Sequence, residues 1–246
     1  MRLRIKAPFA TFRTFTAGWF RPSAMYITPS AAYGLLLNLA GIESRYDDEK
    51  SAMTLMKPDL PVCEIALGMV SEKAELVEEQ TLYQQVHNYP VGSSGKESKD
   101  DCKGNKYNIQ PVRRGFLTNI DGYIVIRNNP ELEKKIRTGL QHGLSSLTEN
   151  NQPRYGVPFL GDNNFMIDFL REENGTLGTL VKWLYRADLK SISNQPRLPE
   201  EFPLMQRMPV WIDRQDMTKT ISTLIGVQEE PDIDPPDMAW FKVGPQ

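Results

Sequence analysis

From Met1 to Ala7 the chain alternates, with Leu3, Ile5 and Ala7 on one side and Arg2, Arg4 and Lys6 on the other. Period two with one apolar side specifies a strand that meets the core through a single face. The next pattern is helical. Thr28 supplies a cap, Pro29 suits the first turn, Leu35, Leu36 and Leu39 make the buried stripe, and Gly41 ends it. Gly34, inside that helix, is expected to allow close packing that a β-branched residue would crowd. A second strand is predicted over Val62–Val70, where Ile65, Leu67 and Met69 alternate with small or polar residues.

Two polar arms follow, "EEQTLYQQVHNYP" and "NIQPVRRGFLTN", around the Gly-, Ser- and Lys-rich "VGSSGKESKDDCKGNK". They predict a long hairpin whose tip has too few apolar groups to pack. "NIDGYIVIR" predicts a turn through Asp121-Gly122 into an apolar strand. "NPELEKKIRTGLQHGLSSL" predicts a second helix, capped by Asn129 and started by Pro130, with Leu132, Ile136, Leu140 and Leu144 four apart. Strand, helix, strand, inserted hairpin, strand, helix is the order of a split βαβ, ferredoxin-like α+β unit. Further on, short strands are expected at Phe165–Phe169, in "MPVWID" and in "TISTLIGV". The tail from Gln228, carrying Glu229, Glu230, Asp232, Asp234 and Asp237, is expected to be extended and solvated.

A chain of 246 residues, 40% of them hydrophobic, can bury a core of ordinary size. Cys63 and Cys102 form no CxxC pair and read as reduced thiols of a cytoplasmic protein. No signal peptide is recognisable, and "AAYGLLLNLAGI" is far shorter than a span of about 20 apolar residues, so no membrane association is expected. With only His87 and His142, no GxSxG, no phosphate-binding glycine loop and no HExxH or Cys/His cluster, the chain points to no catalytic residues, no metal and no cofactor.

Charge is distributed unevenly. The formal net charge is -2, yet the stretch from Met1 to Ile42 holds Arg2, Arg4, Lys6, Arg13 and Arg21 and no carboxylate. The same stretch carries Phe9, Phe12, Phe15, Trp19, Phe20, Tyr26 and Tyr33. Cations that neutralise phosphates and rings that stack unpaired bases are the means by which single-stranded nucleic acid is held. Composition leaves open whether these rings are exposed or form core. The hairpin arms add Lys103, Lys106, Tyr107, Arg113 and Arg114 opposite Gln84, Gln85, His87, Asn88 and Tyr89, donors suited to phosphate and base-edge contact, though an ordinary polar hairpin has the same look.

"RIKAPFATFR", "PSAAYGLLLNLAGI", "QPVRRGFLTN" and "RYGVPFLGDNNFMID", in that order around an inserted hairpin, resemble the Cas-five family, which caps the 5′ end of the guide RNA in type I CRISPR effector complexes (Cascade). The resemblance is good over residues 1–126, fair over 150–170 and weak beyond. It implies a ferredoxin-like, RRM/RAMP-type palm over residues 1–170 with a long β-hairpin thumb at about 80–119. A smaller, irregular β-rich region with an acidic tail fills 171–246. It implies a non-catalytic subunit that holds the 5′ handle of the crRNA and touches the large and backbone subunits of Cascade. Target DNA lies near its PAM-proximal end only indirectly. By position, Arg13 falls in the turn where handle contacts are expected, Lys106, Tyr107, Arg113 and Arg114 on the thumb, and Tyr155 in the loop before Gly161. With the residues read from charge and rings, the RNA-binding candidates are Arg2, Arg4, Arg13, Trp19, Arg21, Gln84, His87, Asn88, Lys106, Tyr107, Arg113, Arg114 and Tyr155. Two other functions remain open to the sequence. One is a metal-independent endoribonuclease using His87 with Lys106 or Tyr107, as one branch of the family cleaves repeat RNA. The other is an RNA-free adaptor whose basic leader binds an acidic protein.

Overall fold

The computed structural model describes residues 1–16, 19–48, 55–74, 76–87, 109–141, 156–173, 178–187 and 205–245. Their architecture is α+β, built on one large, mostly antiparallel sheet. Its centre is formed by β1 (Arg2–Ala10), β5 (Cys63–Val70) and β7 (Ile109–Arg127), and β8 (Phe169–Glu172) lies outside β1. The order is β5–β7–β1–β8, with α1 (Pro29–Leu39) joining β1 toward β5 and α3 (Pro130–Gln141) joining β7 toward β8. Between α1 and β5 lie the two-residue strands β3 (Arg45–Tyr46) and β4 (Leu55–Met56), paired with each other. The one-turn helix α2 (Ser71–Ala74) follows β5.

The alternation in β1 does what it predicts. Leu3 and Ile5 are fully buried in a core shared with Ile65, Leu67, Ile124 and Ile126, under Leu36 of α1 and Ile136 of α3. Each such side chain contributes about 1.5–3 kcal/mol relative to exposure. Helix α1 starts as read, Thr28 Oγ1 accepting the Ala31 N–H at 3.2 Å. It ends in a Schellman arrangement: Gly41 sits at φ +66°, its N–H donates to the Asn38 carbonyl, and the Ile42 N–H donates to that of Leu37. Asn129 caps α3 by accepting the Leu132 N–H at 2.9 Å, and α3 is described to Gln141. Cys63 lies in the core, where burial, with smaller effects from Glu133 and Glu64, pushes its thiol up to about 12. Cys102 and His142 lie outside the described residues. Among the described residues no helix is long and apolar enough to cross a membrane.

Four expectations are corrected. Asp121-Gly122 is no turn: β7 runs unbroken for 19 residues. Asp121 is held in the strand by Arg4 and Lys6, and Gly122 lets β5 come close, since a Cβ there would meet the Gly68 carbonyl oxygen at 2.6 Å. The strand expected at Phe165–Phe169 begins only at Phe169, because Phe165 closes a tight loop, donating its N–H to the Asp162 carbonyl and accepting that of Leu160. The tail is docked rather than solvated: Asp232 exchanges backbone hydrogen bonds with Val181, and β12 (Trp240–Val243) pairs with β5. Its acidic side chains do stay exposed. Gly34 faces outward, and a Cβ there would meet nothing within 4 Å, so the helix does not need a glycine at this position.

Strands β9 (Val181–Arg186), β10 (Gln206–Trp211) and β11 (Ile221–Val227) extend the sheet beyond β5 in the order β10–β11–β9–β5. The second face of the sheet is covered too. Ala66, Val70, Tyr123, Val181 and Trp183 are buried against Ala239 of the docked tail.

Replacing Gly34 by Ala is expected to stabilise the protein by about 0.8–1 kcal/mol through helix propensity, raising Tm by about 2–4 °C. Calorimetry of Gly34→Ala checks this, a lowered Tm being the contrary result.

Candidate nucleic-acid interface

The first half of the long strand β7 is gripped by other strands from both sides. β6 (Glu79–His87) pairs with it antiparallel from Glu79↔Leu117 to His87↔Ile109, and β2 (Phe20–Arg21) pairs parallel, Phe20 with Arg113 and Arg21 with Arg114. The Arg113 N–H donates to the Trp19 carbonyl at 2.7 Å. The leader turn between β1 and β2 is fixed at its base by further bonds. Ser23 Oγ accepts the Phe12 N–H at 3.0 Å, Glu79 Oε1 accepts the Ser23 N–H at 3.1 Å, and Thr11 Oγ1 donates to the Gly115 carbonyl at 2.8 Å.

This frame sorts the leader aromatics. Phe12 and Tyr33 are core, and Tyr26 is half-buried, its phenol pushed up by burial. Phe15, Trp19 and Phe20 are exposed, Trp19 by 61%, and Tyr83 of β6 by 77%. Between these rings lies Arg113. Its guanidinium carbon is 5.4 Å from the Phe20 ring centroid and 5.9 Å from that of Tyr83. Its Nε is buried and has no hydrogen-bond partner. A cation flanked by two rings, with Trp19 open beside it, is a surface on which planar π-systems stack. Arg21, half-buried, and Arg13, exposed at a bridge to Ser23, belong to the same turn.

Arg114, the next residue, is engaged differently. Nη2 pairs with Asp162 at 2.7 Å, both side chains 16% exposed, and Nη1 donates to Gln84 Oε1 at 3.2 Å. Asp162 stands in the 156–168 loop, pressed onto the leader turn at Gly161. With φ +81° and the Thr11 carbonyl where a Cβ would go, that position admits only glycine.

Arg2 and Arg4 lie elsewhere. Arg4 pairs with Tyr123, ten positions along β7 from Arg113, about 33 Å at about 3.3 Å per residue. There Arg4 forms a two-pronged pair with Asp121 at 3.0 and 3.1 Å and reaches Glu173 at 3.5 Å. The hydrogen-bonded Asp121 carboxylate raises the guanidinium's pKa further above its ordinary value. Lys6 shares Asp121 at 3.3 Å, and Tyr123 donates to Glu173 at 2.7 Å. Arg2 stacks on Tyr123 at 4.4 Å and donates to the Ile233 carbonyl at 2.8 Å. The cations of the acid-free stretch therefore do not share one acid-free face. Neighbouring strands bring carboxylates to the N-terminal half of the leader.

The structure thus sets Trp19, Arg21, Gln84, Arg113 and Arg114 on one ribbon, with Arg13 on the same turn. Arg113 shares a face with Phe20 and Tyr83, whereas Arg21, Gln84 and Arg114 lie on the opposite face, and Arg2 and Arg4 are separate from both. Asn88, Lys106, Tyr107 and Tyr155, and the side chain of His87, lie outside the described residues. Tyr83 and Asp162 were not singled out by the sequence, and Phe20 only as one of the leader aromatics. Only the register Tyr83↔Arg113 sets that ring beside the cation, and register is not written in composition. Among the described residues no group of three His, Cys, Asp or Glu side chains could hold a metal ion.

No protein-family model matches the chain, and no curated protein sequence matches it. Solved structures do. A chain of a CRISPR RNA-guided surveillance complex superposes with a TM-score of 0.50 at 14% identity, covering 97% of this chain and 95% of that one. A Cas protein gives 0.40 at 12%, covering 94% and 93%. A chain of the type III-B Cmr-beta complex bound to cognate target RNA and AMPPnP gives 0.43 at 11%, covering 94% and 85%. The first likeness shows that the protein shares its fold with a chain of a CRISPR surveillance complex along nearly its whole length.

Removing one partner of the half-buried Arg114–Asp162 pair leaves the other charge uncompensated. Arg114→Ala and Asp162→Ala are each expected to destabilise by about 1–3 kcal/mol, less than a fully buried pair. The double variant should lose less than the sum. Urea unfolding of the three variants checks this, strict additivity being the contrary result.

Proposed function

We propose that this chain is a non-catalytic RNA-binding subunit of a type I CRISPR effector complex, a member of the Cas-five family that holds the 5′ handle of the crRNA. In this reading β5–β7–β1–β8 with α1 and α3 is a ferredoxin-like palm, and β6 with the first half of β7 is the thumb. The protein works in the cytoplasm, contacts the backbone and large subunits, and meets target DNA only indirectly.

The observation that carries the reading is Arg113 between the rings of Phe20 and Tyr83, with Trp19 exposed alongside, on the ribbon of β6, β7 and β2. Rings accept unpaired bases face-on, for about 1–3 kcal/mol each, whatever the base. The cation neutralises phosphate and releases counterions. A duplex, its bases already stacked, has little use for such a surface. The fold shared with a chain of a CRISPR surveillance complex supports the same assignment.

Coexpression with a CRISPR array and the neighbouring genes, followed by sequencing of bound RNA, tests the function. A uniform 5′ end is expected; a purified complex without RNase-sensitive material overturns the reading. Two variants test the site. Tyr83→Ala should weaken guide binding by about 1–3 kcal/mol at any salt concentration. Arg113→Ala should flatten the dependence of log K on log salt by about 0.7. Titrations across a salt series distinguish the two, and identical behaviour of both variants would count against the stack.

A further inference from the structure

The ribbon leaves one of its edges open. Thr118 donates its N–H to the Glu78 carbonyl at 3.0 Å, which makes that pair a hydrogen-bonded one and fixes the alternation along the register that follows. Gln80, Leu82, Gln84 and Val86 are therefore the bonded partners of Phe116, Arg114, Val112 and Gln110. The backbone N–H and C=O groups of Thr81, Tyr83 and Gln85 point the other way. Two residues of β7 agree with this phase. The Arg113 N–H, opposite Tyr83, is turned away from β6 and donates to the Trp19 carbonyl at 2.7 Å. Pro111, opposite Gln85, has no N–H and needs none there.

Among the described residues β6 is paired with β7 alone. Edge strands are normally blunted by shortness, by charges or Pro, or by a bulge. The sheet's two end strands show these devices. β8 has four residues and carries Arg171, and β10 holds Pro209 with a register shift beside it. β6 has none of them. It runs nine residues, about 30 Å, in unbroken register with β7, and its sequence EQTLYQQVH contains no Lys, Arg or Pro. The side chains of Thr81 and Tyr83 are exposed, which leaves the strand accessible.

We propose that the outer edge of β6 is a strand-addition site, occupied by an extended segment of another protein of the complex. What the edge presents selects a polypeptide over RNA. Donors and acceptors alternate along it as they do along another strand, whereas phosphate oxygens only accept. The strand offers no Lys or Arg to neutralise a phosphate, and Glu78 and Glu79 are exposed at its start, so the matching segment is uncharged or basic. An added strand extends the ribbon in its own plane. The faces, with Tyr83 and Arg113 on one of them, stay open to RNA.

Amide hydrogen exchange read residue by residue tests the site, comparing the full chain alone with the chain purified together with the proteins of the neighbouring genes. In the assembly the amides of Thr81, Tyr83 and Gln85 are expected to exchange about tenfold more slowly, or slower still, than in the free chain. Those of Gln80, Leu82 and Gln84 should be slow in both. Protection of every other residue is the signature of an added strand, because cover by a partner's side chains has no such period. Thr81→Pro removes an outward N–H and spares the ladder to β7, so it should retain the partner about tenfold less well, whereas Thr81→Val should retain it. The wild-type exchange pattern decides the matter if Thr81→Pro folds poorly. The proposal is overturned if the outward amides exchange alike in both samples, if they are already slow in the monomeric free chain, if a dimer of this chain protects them instead, or if no other protein copurifies. Guide RNA bound while these amides stay fast leaves the RNA-binding function standing without the strand site. Protected amides in an assembly free of RNA do the reverse.

Discussion

One strand holds two parts of this protein in a fixed relation. β7 is core strand over its second half, between β5 and β1, and ribbon over its first, between β6 and β2. Its neighbour on one side changes between Leu117, which pairs with Glu79, and Gly122, which pairs with Met69. Asn119, at φ +57°, lies at the changeover and donates from its side chain to the Leu76 carbonyl. The ribbon is therefore a continuation of the buried sheet, and the rings at its root inherit the rigidity of the core beneath them. A stacking surface needs this, because orienting loose aromatics would consume much of what stacking contributes.

The acid-free leader has a physical explanation different from the one its composition suggests. Its cations in β1 face the anions of β7 and of the segment after β8, so opposite charges are apportioned to adjacent strands. Such cross-strand pairs favour the observed register and penalise a slip by one residue, which would turn Arg4 toward Leu36 and Ile136. Only the later cations of the leader, Arg13 and Arg21, are spared carboxylate partners among the described residues.

Much of the centre was legible because it depends on local rules: the alternation in β1, the Thr28 and Gly41 ends of α1, the Asn129 cap and the run of β5 are each decided within a few residues. What was not legible depends on partners distant in sequence. Asp-Gly is a turn signal in isolation, and only Arg4, Lys6 and the close approach of Gly68 keep it extended. Phe12 and Phe20 have the same side chain, yet one is core and the other faces solvent, because the turn between them is tied to β7. The tail, acidic and rich in proline, reads as solvated, although its backbone and Trp240 attach it. Among the described residues Asp234 alone of its acidic side chains reaches a cation, Arg2 at 3.7 Å.

That attachment has a consequence for the order of assembly. β5 is bordered by β7 along one edge, while β9 takes Gly68–Val70 and β12 takes Cys63–Ala66 on the other. Until Trp240–Val243 emerges from the ribosome, half of that edge offers free amide and carbonyl groups beside an apolar strand, an inviting template for intermolecular pairing. β12 thus acts as a seal, and nascent or truncated chains lacking it carry an aggregation hazard that chains containing it do not.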